Sequence, residues 1–193
     1  MRSATLLIAV ALLLPALSRA QDVPIVTISH QDSSINFDVK ASVEIAGKFN
    51  KWDATIVFAS TDVTSGVMDI KIQADSVDTG SGMKNGKLKG TDFFDVKNNP
   101  LITFHSTKVV QTGPNTFDVP GTFTIRGVSK PETLTLTLSG RGTGTGTVKG
   151  TMAFDRKQYG MTSGIPFIKV ADRVEVTINL VGKRSGPALT FKQ

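Results

Sequence analysis

VEVTINL, residues 174–180, alternates apolar and polar side chains at every step. Because successive side chains of an extended strand point to opposite faces, this stretch has one apolar face and one polar face. The same alternation occurs in MDIKIQ (68–73) and in TLTLTL (133–138). This pattern is typical of antiparallel strands that are buried on one side only.

Further strands are predicted where Val, Ile, Thr and Phe concentrate between Gly, Pro, Asn and Asp residues, at 35–40, 55–59, 101–109, 116–126 and 147–154. About eight strands follow at hairpin spacing. Residues 76–99 interrupt the alternation, and we predict a short helix at 84–94 that forms a flap. Since closure hides sheet edges more completely than a sandwich does, the pattern favours an all-β, closed antiparallel barrel. Its interior either is filled by side chains or holds one slender ligand.

The first 20 residues, MRSATLLIAVALLLPALSRA, are typical of a secretory signal peptide. Arg2 precedes an apolar run at 4–17, and Ser18 and Ala20 place small side chains before a cleavage point ahead of Gln21. An uncleaved anchor is the alternative. We therefore expect a signal peptide at 1–20 and a single domain at 21–193, a length that suits one domain.

Composition argues against several classes of protein. Cysteine is absent, which excludes disulfides and thiol nucleophiles. The net charge of +6 comes mostly from scattered Lys and Arg residues. Nucleic-acid binding favours clustered basic residues, so we expect no nucleic-acid partner and at most weak attraction to an anionic membrane surface.

No motif of a known catalytic or metal site is present. The two histidines, His30 and His105, lie far apart, and we predict that both are outward strand residues rather than metal ligands. Asp92 and Asp95 flank a Phe pair, and we expect them to cap or end a helix rather than to form a glycosidase acid/base pair. We accordingly expect no catalytic residue, no metal ligand and no cofactor.

The run GRGTGTGTVKG (140–150) leaves three interpretations open. It is a hairpin turn, a stretch whose glycines leave open space on one face, or a phosphate-binding loop. The third interpretation requires a following helix, whereas VKGTMAF is typical of a strand.

Five motifs in order resemble the YceI-like polyisoprenoid-binding family over about residues 24–182: GKFNKWDATIVF (47–58), SVDT (76–79), LKGTDFFDVKNNPLITFHST (88–107), GTFTIRGVSKPETLTL (121–136) and FDRKQYGM (154–161). The resemblance implies a lipocalin-like, eight-stranded antiparallel barrel with a short helical flap. It also implies an exported bacterial protein, periplasmic or secreted, that binds a long-chain isoprenoid or similar amphiphile without catalysis. Association of the family with stress responses and membrane redox proteins makes an isoprenoid quinone a candidate ligand.

Aromatic residues occur in or beside nearly every predicted strand, either as ordinary core or as the lining of a lumen. On the resemblance, we expect the lipid-binding residues to be Phe37, Phe49, Phe58, Ile72, Phe94, Phe104, Phe123, Ile125, Phe154, Arg156, Tyr159 and Phe167. Arg156 is expected to be either a polar contact at the pore mouth or a structural ion-pair partner. The flap at 84–94 and the segment 159–168 are expected to flank that mouth.

The chain departs from the family pattern in the flap, where Asn85 and Lys87 replace an Asp and a His. If these positions contact the head group of the ligand, the departure favours a different, anionic head group. Three further alternatives stay open, and the pairing of two barrels as a homodimer is undecided. The barrel could be filled and act through its outer surface in the envelope stress response, it could be an enzyme acting on lipids, or it could be a transmembrane barrel whose polar rows face inward.

Overall fold

The computed structural model describes residues 22–42, 45–164 and 170–192. The expected signal peptide at 1–20 lies outside the described residues, as do residues 165–168, which include Phe167. In the described residues the strands are β1 (Ile25–Ala41), β2 (Ile45–Phe49), β3 (Trp52–Phe58), β4 (Gly66–Gln73), β5 (Val77–Asp78), β6 (Leu101–Ser106), β7 (Val110–Gln111), β8 (Thr116–Ile125), β9 (Val128–Ser139), β10 (Thr145–Asp155) and β11 (Val170–Ser185). One α-helix, α1 (Gly82–Lys89), and three short 3₁₀ turns, Val63–Ser65, Ala74–Ser76 and Arg156–Tyr159, complete the described elements.

The strands occupy eight positions around a closed antiparallel barrel. β2 and β3 together occupy one strand position beside β1, and β4 together with the short β5 occupies the next position. The remaining five positions are occupied in order by β6, β8, β9, β10 and β11. β11 returns to pair with β1 from Ile25↔Ser185 to Ala41↔Val170, which closes the barrel. The predicted fold class, an all-β, eight-stranded, lipocalin-like barrel, is confirmed.

Alternation along the strands sorts side chains between the lumen and the outside. In β4 the side chains of Met68, Ile70 and Ile72 are buried, whereas Lys71 is exposed. In β9 the buried positions are Leu134 and Leu136. The period-two pattern therefore predicts which face of these strands points inward.

The flap helix is shorter than the sequence pattern predicts, because it spans Gly82–Lys89 and ends before the two phenylalanines. The chain turns at Gly90, and Phe93 and Phe94 are buried in the barrel end instead of continuing the helix. The expectation that Asp92 and Asp95 cap or end the helix is wrong. Ser81 caps the N-terminus, Asp92 accepts from Lys87, and Asp95 accepts from the amides of two later asparagines. No helix among the described residues is long and apolar enough to cross a membrane.

Two glycines let large side chains lie against the barrel wall. A Cβ added to Gly121 of β8 would lie 2.6 Å from Cζ of Phe104 and 2.5 Å from the carbonyl oxygen of His105. A Cβ added to Gly150 of β10 would lie 2.5 Å from Cγ1 of Ile178. Both positions therefore accept only a hydrogen where another residue would have a side chain.

We expect Gly121→Ala to destabilise the protein by about 1–3 kcal/mol, since the added methyl group meets a backbone oxygen that cannot move alone. Urea unfolding measures this loss. The matched control is Gly86→Ala in α1, where nothing lies within 4 Å of the added Cβ. We expect this control to be neutral or to stabilise the protein by up to about 1 kcal/mol, because alanine favours helix. Equal effects of the two substitutions would contradict the close approach at Gly121.

Candidate functional site

The wide compartment is a cavity of about 460 Å³ in the half of the barrel that holds the β9–β10 turn. Side chains from β1, β3, β4 and β8–β11 surround it. The strand residues around it are almost all apolar, and they include Val26, Ile28, Ile56, Phe58, Met68, Phe117, Val119, Leu136, Leu138, Val148 and Leu180. The compartment therefore suits an apolar chain.

The narrow compartment is a cavity of about 80 Å³ in the other half of the lumen, next to the flap. Leu88 of α1 and the Phe93–Phe94 pair close its end. The sides are formed by apolar residues of β1, β2, β4, β6, β8, β10 and β11, and five of these strands also line the wide compartment. These residues include Ile35, Phe37, Val39, Phe49, Ile72, Ile102, Phe123, Ile125 and Phe154. The two compartments thus lie along one lumen.

A middle layer separates the two compartments. We use this name for Ile70, Phe104, Met152 and Ile178, which are buried and line neither cavity. On β4, β10 and β11 these residues lie between a residue of the wide compartment and a residue of the narrow compartment. Gly121 and Gly150 make room for Phe104 and Ile178 in this layer.

The structure places the expected lipid-binding residues in three regions. Eight of them line the narrow compartment: Phe37, Phe49, Ile72, Phe94, Phe123, Ile125, Phe154 and Arg156. Phe58 lines the wide compartment, and Phe104 lies in the middle layer. Tyr159 is fully buried and lines neither cavity, and Phe167 lies outside the described residues. The wide compartment is therefore the region that sequence reasoning mostly missed.

Tyr159 supports the narrow compartment from behind. Its ring packs edge-on against Phe123 and Phe154, with centroid distances of 5.5 and 5.2 Å. Its hydroxyl donates to Oε1 of Glu132 at 2.9 Å. Burial and the nearby carboxylate both raise the pKa of the Tyr159 hydroxyl above its usual range.

Arg156 is a buried ion-pair partner. Its guanidinium donates to the carbonyl oxygens of Met161, Ser163 and Ala171, and it pairs with Asp172 at 3.2 Å. Although its side chain borders the narrow compartment, these contacts tie the 3₁₀ turn to the start of β11. Of the two expected roles, the geometry favours the structural ion pair.

The polar residues of the flap are bound to one another. Asn85 accepts from the backbone N–H of Thr79 at 2.8 Å and from its hydroxyl at 2.7 Å. Lys87 donates to Asp92, and this hydrogen bond and the nearby positive charge lower the pKa of the Asp92 carboxyl. Arg126 links the flap to the 3₁₀ turn by donating to the carbonyl oxygens of Thr91 and Gly160.

Both histidines lie on the outside of the barrel, as predicted. His105 contacts Asp69 at 2.6 Å on the outer face of the sheet, and His30 stacks on Trp52 with a centroid distance of 4.4 Å. The described part of the chain contains no group of three or more residues that could hold a metal ion.

The glycine-rich run forms the turn between β9 and β10. The interpretation as a phosphate loop is wrong, because β10 rather than a helix follows the run. The hairpin turn is confirmed, with positive φ angles at Gly140, Gly142 and Gly144. These glycines and Gly146 also border the wide compartment, as the open-space interpretation predicts.

The C-terminal strap, residues 186–192, covers part of the wide compartment. The backbone of Thr190 bonds with Thr61 and Val63, and Ala188, Leu189 and Phe191 line the cavity. Phe191 packs against Phe117 with a centroid distance of 6.3 Å. The only sequence signal for this contact is the pair of large apolar residues in an otherwise small or polar tail.

A closed eight-stranded antiparallel barrel around an apolar lumen defines a lipocalin-like architecture. Residues 27–182 match the family model of the YceI-like domain, and the chain belongs to this family.

Relatives and solved structures agree with this assignment. A UPF0312 protein of Vibrio parahaemolyticus is 31% identical over 129 residues, which cover 66% of this chain and 68% of the relative. A UPF0312 protein of Pseudomonas aeruginosa is 34% identical over 88 residues, which cover 46% of this chain and 46% of the relative. The chain therefore spans about half the length of this relative. The crystal structure of Burkholderia cenocepacia BcnA matches with a TM-score of 0.74 and 28% identity, covering 80% of this chain and 99% of that one. A polyisoprenoid binding domain from Saccharophagus degradans shares the fold, with a TM-score of 0.65 and 16% identity over 83% of this chain and 98% of that one.

We expect Arg156→Met to lower the free energy of unfolding by about 2–3 kcal/mol, because three carbonyl oxygens lose a buried donor. Lys157→Met is the matched control, since Lys157 pairs with the same Asp172 from a half-exposed position. We expect its effect to be much smaller. Denaturant unfolding measures both values. Equal stability of the two variants would show that Arg156 is not a structural partner.

Proposed function

We propose that the protein binds and carries or stores a long-chain amphiphile in its lumen, without catalysis, in the bacterial periplasm. The observation that carries this proposal is the apolar wide compartment of about 460 Å³. This volume lies within the usual range of ligand sites, about 300–1,000 Å³. The proposed export rests on the signal-like sequence at 1–20.

Burial of an apolar chain supplies the affinity in this proposal. Each methylene group removed from water contributes about 0.8 kcal/mol, so about ten buried carbons contribute several kcal/mol without any hydrogen bond. Such binding needs a dry cavity of matching width rather than reactive groups. The absence of cysteine and the outward positions of both histidines agree with a binding role rather than an enzymatic one.

Polyisoprenoids, isoprenoid quinones and fatty amides are the ligand classes we propose. The Saccharophagus degradans protein, which has the same fold, is a polyisoprenoid binding domain. A ligand with many isoprene units exceeds the wide compartment and must also occupy the narrow one. We propose that the side chains of the middle layer then move aside, with Phe104 leaving its place against Gly121.

A second candidate function is an interaction module that acts through the outer surface in envelope stress. The observation in its favour is an exposed apolar patch on β1, β3 and β4. Ile25 pairs with Val57 across one strand boundary, and Val57 pairs with Val67 across the next. Their exposed fractions are 60%, 63% and 38%. Such a patch suits a second barrel, as in a homodimer, or weak membrane contact.

Native mass spectrometry of the protein purified from a bacterial periplasm without detergent tests both export and binding. We expect a polypeptide that begins at Gln21 and carries one lipid, which organic extraction then releases for identification. The control is the same protein after extraction and incubation with the identified lipid, which should restore the bound mass. A protein that lacks lipid, and still lacks it after incubation with isoprenoids and fatty amides, would favour the interaction module.

We expect Val148→Trp to lower lipid occupancy at least tenfold, because Val148 lines the wide compartment and a larger side chain occupies the space of the ligand. Thr147→Trp is the matched control, since Thr147 is the adjacent residue of β10 and is exposed on the outer face. Occupancy is measured by native mass spectrometry, and circular dichroism verifies that both variants fold. Similar occupancy in the two variants would place the ligand outside the wide compartment.

A further inference from the structure

Within the described ranges, the charged residues that line the wide compartment are two arginines, Arg141 and Arg184. Arg141 lies in the β9–β10 turn, and Arg184 lies near the end of β11. The backbone N–H of Arg184 donates to Gly144 of that turn at 2.8 Å, so the two residues belong to the same rim of the barrel. No Asp or Glu side chain lines the compartment within the same ranges.

Both guanidinium groups are held in place by neutral groups. Nη1 of Arg141 donates to the carbonyl oxygen of Pro114 at 2.7 Å and to Oδ1 of Asn115 at 3.0 Å. The guanidinium carbon of Arg141 also lies 3.7 Å from the ring centroid of Phe191. Nη1 of Arg184 donates to the carbonyl oxygens of Gly186 and Pro187 at 2.7 and 2.6 Å. Neither arginine forms an ion pair with a carboxylate of the described residues.

These contacts leave donors available. A guanidinium has five N–H donors, and in both arginines the described hydrogen bonds use Nη1 alone. At this end of the barrel, the carboxylate of Asp62 accepts from the N–H and hydroxyl of Thr64. Its pKa is lowered mainly by these hydrogen bonds. Asp62 therefore stays ionised, but it forms no ion pair with Arg141 or Arg184 among the described residues.

The opposite end of the lumen has a different electrostatic character. The flap cation Lys87 is paired with Asp92, and Arg156 is paired with Asp172. Arg156, the charged residue that lines the narrow compartment within the described ranges, therefore already has a carboxylate partner, whereas the two arginines that line the wide compartment have none. The sequence-based expectation of an anionic head group at the flap stays a prediction.

The size of the wide compartment indicates the length of chain that it accommodates. A water molecule takes up about 30 Å³ of liquid, and a methylene group is of similar size, so 460 Å³ corresponds to about 15 chain carbons. The middle layer blocks further extension in the described conformation. A single chain of about 10–15 carbons fills this space with its head group at the rim.

We infer that the wide compartment selects a single-chain amphiphile with an anionic head group, a carboxylate or a phosphate, which Arg141 and Arg184 bind through charge-assisted hydrogen bonds. This inference rests on the proposed function, because it names the ligand class of the same lumen. Phe191 of the C-terminal strap positions the Arg141 guanidinium by packing against it.

Isothermal titration calorimetry on the lipid-extracted full-length mature protein tests the inference with dodecanoate, dodecyl phosphate and dodecan-1-ol. These probes share one chain and differ in the head group. We expect the protein to bind at least one of the two anions about tenfold more tightly than the alcohol, which is ~1.4 kcal/mol. The comparison between dodecanoate and dodecyl phosphate shows which anion is preferred.

The double substitution Arg141→Gln/Arg184→Gln should reduce affinity for the preferred anion about tenfold, toward that of the alcohol. The matched control is Lys71→Gln/Lys149→Gln, which removes two positive charges from exposed positions of β4 and β10. We expect this control to keep the preference for the anion. Equal binding of anion and alcohol by the unsubstituted protein overturns the inference and leaves the proposed function in place.

Two other results also count against the inference. A preference that survives the double arginine substitution, or that falls equally in the lysine control, shows that the two arginines do not select the head group. If none of the three probes binds, the inference fails, whereas the proposed function fails only if native mass spectrometry finds no lipid and the protein takes none up, so the two failures are distinguishable.

Discussion

Closure of the sheet by the pairing of β1 with β11 is the constraint on which the rest of the structure depends. An antiparallel sheet of this length has two edges, and closure gives both edges a partner. Closure also directs the inner faces of all the strands toward one axis, so that the apolar strand faces together enclose a lumen. The register is interrupted between Ser29 and Ser34, where the hydroxyl of Ser33 accepts from the N–H of Val181 at 2.8 Å. A side chain thus replaces part of the backbone ladder at this irregularity.

The side chains of the middle layer divide the lumen into its two compartments. Where glycine replaces a side chain, at Gly121 and Gly150, a neighbour lies across the wall, and the lumen narrows at the middle layer. At Gly142 and Gly144 of the turn between β9 and β10, nothing lies within 4 Å of an added Cβ, and these glycines border the wide compartment. The same residue type therefore produces a constriction in one place and open space in another.

The sequence predicts the strands and the inward faces well, because period-two alternation is a direct consequence of strand geometry. Each of the eight predicted segments overlaps a strand, and the inward parity of Phe37, Phe123 and Phe154 is correct. The helix end at Lys89 was not predictable from local pattern, because burial of the two phenylalanines in the barrel end decides it. Nor does the sequence reveal the division of the lumen, since that depends on which side chain faces a glycine on another strand. The strap was missed for a related reason, because its partners Thr61, Val63 and Phe117 are distant in sequence.

The arginines that line the two compartments differ in whether a carboxylate partner offsets their charge. The lumen is therefore electrostatically asymmetric along its axis. At the narrow end the flap and the 3₁₀ turn form a network in which Lys87 and Arg156 have carboxylate partners. The paired carboxylates offset the positive charges of Lys87 and Arg156 and so reduce the attraction of these two residues for an anion. At the wide end Arg141 and Arg184 are oriented by backbone carbonyls, an amide and an aromatic ring, none of which neutralises a positive charge. An amphiphile with an anionic head is therefore bound most favourably with its head at the rim and its chain directed toward the middle layer. Because the middle layer consists of packed apolar side chains rather than charges, a longer chain is opposed by repacking alone.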